Sequence, residues 1–463
     1  MSVDALEGGR AEEGLSDVGG PGYGAAELTA AFGGTAILPG DPDWDAARRF
    51  HSGIGEPDAI VRATSLDDVR RAVRGATAAG LDVMVRSGGH SAWGSVPGGL
   101  TLDLTALDAV TVEGTRVGVG GGAHWGAVAR ALADRGLGLS SGDTASVGVG
   151  GLTLGGGIGL MVRAWGLACD QLTGVQLVTA AGDVVEATDE THPELLWALR
   201  GGGGNFCGVT RFDFRARPLD GVVAAELGID GDPRPMLRAL RDLMADAPRE
   251  LTVTYMDVPP MDPSAPAGAS IGAVWIGSDE DRICRLLAPL LAAPGVVERG
   301  LGVRRYPEVL LEAPEFDPEM PMPGFVGGNT LLRELDDDTI DDLVAFRRQN
   351  DASVIFLRSL GGAFGDVAQD DSAFPARDAT WFAMAGAFDV PGLLDDAARA
   401  RALADLAGIE ARGAGVYGNF TTSTEPDWAE RMYPPAAMAR LAAVKREWDP
   451  RNVFSRNHNV RPA

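Results

Sequence analysis

Lysine is almost absent from this chain: Lys445 is the only one in 463 residues. Arginine supplies the remaining positive charge, and acids outnumber it, leaving a net charge of −25. A surface of that sign repels nucleic acid and anionic lipid, and no basic stripe reverses it, so neither is an expected partner. Cysteine is scarce too. Cys169, Cys207 and Cys284 are far apart and odd in number, which excludes a disulfide framework and a cysteine metal cluster. His51, His192 and His458 have no metal-ligand spacing, and no nucleophile–histidine–acid arrangement is visible, so no metal is expected. Apolar runs stay well short of the roughly 18–20 residues of a membrane helix. Residues 1–24 are glycine-rich and acidic and lack the apolar core of a secretory signal. They are expected to form a disordered tail, with the cytoplasm as the default compartment.

What the chain does have is glycine, in four clusters within one half: Gly88-Gly89, residues 120–122, residues 148–159 and residues 201–204. Each fixed glycine costs backbone entropy, so the clusters imply backbone that approaches something closely or takes unusual dihedrals. A large ligand with a pyrophosphate, held by N–H groups, is the obvious candidate. Val85-Arg86-Ser87-Gly88-Gly89-His90-Ser91 sits between an apolar stretch, 81–85, and an alternating one, 100–104. Its one reactive side chain is His90, a potential nucleophile, acid/base or ligand. The clusters are not a dinucleotide fingerprint of the G-x-G-x-x-G type, because Leu160 follows Gly155 and Gly157 at the third position.

Taken in order, 59–63 reads as a strand and 66–80 as a helix capped by Ser65, with acids in its first turn. Strands follow at 117–119, 172–180, 184–186 and 209–214, with helices at 124–136 and 192–199. After Pro218 the glycine clusters vanish. Alternating segments (251–258, 269–276, 353–360, 381–388) interleave with helical ones (235–247, 279–293, 337–349, 395–407), as in an antiparallel sheet backed by helices. The acidic, proline-rich stretch 312–322 is expected to be a surface excursion. A last helix, 436–448, is stopped by Asp449-Pro450.

Arg86-Ser87-Gly88-Gly89-His90-Ser91 resembles the R-x-G-G-H of FAD-linked oxidases of the vanillyl-alcohol-oxidase superfamily, PCMH type. Val147-Gly148-Val149-Gly150-Gly151 through Gly155-Gly156-Gly157-Ile158-Gly159 resembles the berberine-bridge-enzyme-like branch. So do Trp165-Gly166-Leu167-Ala168-Cys169-Asp170, the stretch 196–206, and the tail Tyr417-Gly418-Asn419-Phe420 through Asn457 and Val460. These motifs stand in family order and span most of 55–215 and 415–463. The resemblance implies an α+β fold: a two-part FAD-binding domain, 25–215 plus the returning segment 415–463, and a substrate domain, 216–414, with an antiparallel sheet backed by helices.

The resemblance also implies FAD bonded through its 8α-methyl to His90. Arg86, Ser87, Gly88, Gly89 and Ser91 would hold it, with Gly148, Gly150, Gly151, Gly155, Gly157 and Gly159. Val209, at a strand start, and Asn457, in the tail, complete the expected contacts. Many members make a second flavin bond through a cysteine three residues before the valine of V-G-V-G-G. Thr144 stands there, so a single link through His90 is expected. Val147 occupies the position associated with oxygen access, where valine goes with oxidases. In relatives the second tyrosine of Y-x-N-Y is often the base, but here it is Phe420. Tyr255 and Tyr417 are the remaining candidates. The expected function is oxidation of a C–H next to OH or N of a small molecule, such as a sugar, alcohol or natural product, by hydride transfer to FAD, with oxygen as acceptor. Two alternatives stand beside it: a dehydrogenase with a non-oxygen acceptor, and a ligand-binding module, suggested by Phe420 and by Ala376 where the family usually has histidine.

Overall fold

The computed structural model describes residues 25–32, 36–51, 53–259, 268–312, 324–389, 394–421, 423–425 and 427–463. The expected tail (1–24) and all of the expected excursion but residue 312 lie outside these. The helix Leu66–Ala79 begins where its cap predicts: Ser65 Oγ accepts from Asp68 N at 3.2 Å, and Gly80 ends it in the left-handed region. It crosses between two strands, Ala59–Arg62 and Val83–Arg86, that each pair in parallel with Leu100–Asp103. The alternation of 100–104 suggests one wet face. All four residues of Leu100–Asp103 are buried instead, because the strand is central and Asp103 is neutralised by Arg86 (2.7 Å) and Arg62 (3.3 Å).

A second, antiparallel sheet runs Val184–Thr188, Leu172–Val178, Gly208–Arg215, Arg116–Gly120, Val110–Glu113. The helices Trp125–Ala133 and Pro193–Leu199 share its core, and so do Val416, Trp428, Leu441 and Val460 of the C-terminal part. The lone lysine fixes that part in place. Lys445 Nζ, fully buried, donates to Asp449 Oδ2 (2.7 Å) and to the carbonyls of Asn205 (2.5 Å) and Phe454 (3.0 Å).

The third sheet has seven antiparallel strands: Val296–Arg304, Val222–Ile229, Gly268–Ile276, Leu251–Val258, Ser353–Ser359, Trp381–Asp389, Gly324–Leu332. Four helices (Arg234–Asp246, Glu280–Leu291, Asp337–Gln349, Asp396–Glu410) cover one face, and the strand residues beneath them alternate: Val253 and Tyr255, Ile271 and Ala273, Ile355 and Leu357. The other face carries Met256, Phe356, Phe382 and Met384, which pack with Tyr417 and Phe420. The sheet and its helices are what the alternation predicts. Three of its strands, at 222–229, 296–304 and 324–332, are additional to those read from the sequence. Among the described residues no helix is long and apolar enough to cross a membrane.

Candidate active site

The glycine clusters serve two purposes. Most let one backbone lie on another. A Cβ on Gly88 would stand 2.3 Å from Gly148 N, one on Gly148 2.1 Å from Gly88 N, one on Gly122 1.8 Å from Leu104 O and one on Gly159 1.8 Å from Ser141 O. Ser87 Oγ ties the loops further, donating to Gly121 O (2.7 Å) and accepting from Gly150 N (3.3 Å). Two glycines differ: a Cβ on Gly151 or Gly204 would meet nothing within 4 Å. Both face a cavity of about 400 Å³ where the glycine loops meet the C-terminal segment. The protein's own packing does not require glycine there; a group occupying the cavity would.

Arg86, Ser87, Gly88, Gly89, His90, Ser91, Thr144, Val147, Gly148, Gly150, Gly151, Gly155, Val209, Asn457 and Tyr417 all line this cavity. Gly157 and Gly159 do not, and stand behind it. The Arg86 guanidinium is committed to Asp103 and to the carbonyls of Ala47 and Arg49, so only its backbone is available. Among the described residues the N–H groups of Gly88, Gly89, His90 and Ser91 make no hydrogen bond. Four consecutive free donors on a cavity wall suit an anion.

His90 Nε2 lies 3.1 Å from Ser146 Oγ, and its ring stacks on His51 with centroids 3.9 Å apart and planes 15° from parallel. Burial, then the neighbouring His51 and His124, push its pKa down to about 4. At neutral pH His90 is therefore an uncharged imidazole. His458 Nε2 is 3.0 Å from Gly418 O, so that nitrogen carries the proton and Nδ1 is an acceptor. Nδ1 of His458 is buried without a partner, as are Trp93 Nε1 and Asn457 Oδ1, and all three residues line the cavity. Buried polar groups are rarely left unpaired, so a ligand with both donors and acceptors fits. His51, Trp93 and His458 carry no local sequence signal for this role; only chain topology brings them here.

The two proposed catalytic tyrosines fare differently. Tyr255 lies in the helix-backed core, on the sheet face away from the cavity. Its hydroxyl contacts Asp257 Oδ2 at 3.4 Å and burial raises its pKa, so it is not the base. The strand pattern predicts alternation but not which side meets the cavity. Tyr417 is in place, yet its Oη accepts from Gly157 N (3.1 Å), Ile158 N (3.3 Å) and Asn419 Nδ2 (3.0 Å). Burial outweighs these donors and pushes it up to about 12, so it braces the glycine loop. Asn329 holds its turn: Nδ2 donates to Tyr417 O and Phe420 O, both at 3.1 Å, and Oδ1 accepts from Tyr417 N at 2.7 Å. Thr144 Oγ1 donates to Asp143 Oδ1 (3.0 Å). Cys169 and Cys207 are buried, with thiol pKa values raised chiefly by burial, although Cys207 reaches the cavity.

A four-stranded sheet, in which Ala36–Ile37 pairs antiparallel with Ala59–Arg62 beside the parallel strands, an antiparallel partner sheet, a glycine-built cavity and a facing seven-stranded sheet make up the fold of FAD-binding proteins of the PCMH type. The comparisons agree. Residues 57–188 match the FAD binding domain family and residues 416–461 the berberine and berberine-like family. The chain is 31% identical, over 93% of its length and 97% of the relative's, to (R)-6-hydroxynicotine oxidase of Paenarthrobacter nicotinovorans. The solved 6-hydroxy-D-nicotine oxidase of Arthrobacter nicotinovorans superposes with a TM-score of 0.78 at 26% identity, covering 92% of this chain and 98% of that one. Glucooligosaccharide oxidase of Acremonium strictum, described as carrying 6-S-cysteinyl, 8α-N1-histidyl FAD, shares the fold with a TM-score of 0.81 at 24% identity, covering 94% and 99%. The chain belongs to the berberine-bridge-enzyme-like branch of the vanillyl-alcohol-oxidase family and is an FAD-dependent oxidoreductase of small molecules.

Proposed function

We propose that the enzyme holds FAD covalently through His90 alone, oxidises a carbon bearing OH or N, and passes the electrons to oxygen. The observation that carries this reading is a neutral His90 beside four free N–H donors in a cavity that two otherwise unneeded glycines keep open. FAD supplies the two-electron chemistry; the chain binds it and tunes its surroundings. Ser146 engages Nε2 of His90, which leaves Nδ1 for the bond, and His51 holds the ring's plane. Gly88 to Ser91 offer their N–H groups to the pyrophosphate. Trp93 Nε1, Asn457 Oδ1 and His458 Nδ1 pair with the cofactor's polar edges. Thr144 offers no sulfur for a second bond, and the Cys207 thiol stays protonated. Val147, half-buried on the wall, governs oxygen access.

The test is acid precipitation of the purified protein, followed by mass analysis of the peptides. Flavin mass on the peptide containing His90 alone supports the reading. Flavin on Cys207, or flavin released into the supernatant, overturns the single link. Val147→Leu tests the acceptor: slower reoxidation by oxygen with unchanged flavin reduction is expected, and an unchanged reoxidation rate counts against oxygen control there.

A further inference from the structure

Arg358 is the only charge on the strand Ser353–Ser359, and all seven residues of that strand are buried. A guanidinium taken out of water needs partners. Nε donates to Thr254 Oγ1 (3.0 Å) on the neighbouring strand, and Cζ lies over the Phe356 ring, 4.8 Å from its centroid. Nη2 pairs with Asp143 Oδ2 at 2.8 Å, the two side chains being 2% and 13% exposed. Nη1 has no partner, so the strongest tie is the charge-assisted one to Asp143. Thr254 and Phe356 belong to the seven-stranded sheet, whereas Asp143 belongs to the glycine-rich half and lines the cavity beside Thr144. The ion pair therefore joins two halves of the molecule. Such a buried pair adds little stability, because desolvation offsets the attraction; its better-attested use is to fix a register.

What it registers is a short loop. Two further ties reach that loop from the segment after the edge strand Val296–Arg304. Leu311 N donates to Asp143 O (2.7 Å) and Leu311 O accepts from Ala145 N (2.9 Å), while the buried hydroxyls of Tyr306 and Ser141 lie 2.7 Å apart. The loop's other limb is held from the glycine-rich half: Gly126 N donates to Ala145 O (2.9 Å) and Trp125 N to Val147 O (3.0 Å). Between the limbs Val147 N closes a turn onto Thr144 O (3.3 Å). Ser146 is a central residue of that turn, and its Oγ is the atom 3.1 Å from His90 Nε2. The chain of contacts from Arg358 to His90 is thus Asp143, the turn, and Ser146. The backbone and hydroxyl ties are between neutral groups. Arg358 alone grips the loop by charge, and it is itself fixed by Thr254 and Phe356.

We propose that Arg358 is a positioning residue for the flavin link: through Asp143 it sets the Thr144–Val147 turn so that Ser146 holds His90 in the orientation that bonds. This rests on the covalent reading above. With Nε2 engaged by Ser146, Nδ1 is the nitrogen left to bond. Making the link joins Nδ1 to the 8α-carbon and breaks one methyl C–H bond and the imidazole N–H bond. Both protons leave, the one on Nε2 by way of Ser146 Oγ, and the two electrons left on the flavin pass to dioxygen, which becomes hydrogen peroxide. Attachment of the flavin, unlike its binding, therefore depends on the seven-stranded sheet, although every group that touches His90 lies outside that sheet.

The test mixes full-length apo-protein from riboflavin-starved cells with FAD in air and follows acid-stable flavin with time. The rate at saturating FAD reads positioning, and the FAD concentration giving half that rate reads binding. Arg358→Met alone leaves the Asp143 carboxylate without its cation, so a paired variant, Asp143→Asn with Arg358→Met, removes both charges and guards against misfolding. Both variants are expected to attach flavin about 10–100-fold more slowly, the cost of a misplacement near 1 Å, with half-saturation and far-ultraviolet dichroism unchanged. Arg358→Lys keeps the charge and should recover part of the rate. Ser146→Ala should slow attachment too, and adding the paired variant to it should slow it no further, because both act on one contact. Full-speed attachment in the paired variant would overturn the proposal. So would losses that multiply with Ser146→Ala, or a shift in half-saturation with no change in rate. Wild-type flavin that acid releases would defeat the covalent reading instead, so the two failures are distinguishable.

Discussion

Lys445→Met should unfasten the C-terminal segment. The lysine is fully buried, and so is its partner Asp449. Burial depresses the lysine pKa and Asp449 opposes that shift, as in a pair taken out of water together. Methionine fills nearly the same volume, so the change removes charge and donors with little loss of packing. Three acceptors lose the lysine as a donor: Asp449 Oδ2 and the carbonyls of Asn205 and Phe454. Asp449 keeps two backbone donors, Val453 N and Phe454 N, each at 2.8 Å. Removing one member of a buried ion pair costs about 3–5 kcal/mol, and the surviving donors to Asp449 favour the lower end of that range. Phe454 O keeps Asn457 Nδ2 as a donor (3.2 Å), and the losses at the two carbonyls belong to the same event and do not add independently. The assay is urea unfolding of the apo-protein at two probes, far-ultraviolet dichroism and tryptophan fluorescence, so that two-state behaviour is checked. Flavin content gives a second readout, because Asn457 and His458 lie just beyond the lysine's anchor at Phe454 and line the cavity. A loss below about 1 kcal/mol with full flavin content would refute the argument that this contact closes the cavity.

Other substitutions separate packing from ligand binding. Gly151→Val and Gly204→Val should leave apo-protein melting unchanged and abolish FAD uptake, whereas Gly148→Ala should lower the melting temperature itself; differential scanning fluorimetry with FAD titration tells them apart. Tyr417→Phe strips the acceptor from two buried N–H groups and should cost about 1–3 kcal/mol in urea unfolding, with the flavin still attached. His90 and His458 are held near pH 4, below the ordinary 6.5, so the folded state binds fewer protons than the unfolded one between those values. Their contribution is whole above pH 6.5 and lost as pH falls toward 4, so the urea midpoint of apo-protein should fall over that window, and less steeply in His458→Gln; a flat midpoint would contradict the burial of both rings.

The parts of this molecule legible in the sequence are those whose chemistry is local. Ser65 caps its own helix, and strands such as Leu251–Val258 declare themselves by alternation because one face is covered by helices. Val296–Arg304 and Gly324–Leu332 escape notice because they are the two edges of the seven-stranded sheet. One is charged and largely exposed, and the other is glycine-rich at its start, so neither shows the pattern of a half-buried strand. Val222–Ile229 lies beside the first edge and is nearly continuously apolar, which hides its period. Tyr255 shows a different limit. Period two says which residues share a face, and only the docking of the sheet says which face meets the cavity.

The candidate site divides the same way. His90 is visible because a single local motif surrounds it. Its pairing with His51 and Ser146, and the placement of His458 and Asn457, join segments up to several hundred residues apart. That separation has a kinetic consequence. Gly88 to Ser91 form one wall of the cavity, but the opposite wall exists only after Lys445 has drawn the C-terminal segment back onto Asn205. Burial is the largest cause of the depressed pKa of His90. On the proposed link, attachment at His90 is expected to follow the docking of the last ~50 residues, which supply the opposite wall, rather than to accompany the formation of the parallel strands around it. Adding FAD to unfolded protein during refolding should show helical dichroism returning first and acid-stable flavin appearing later; simultaneous appearance would mean that the loop alone is enough.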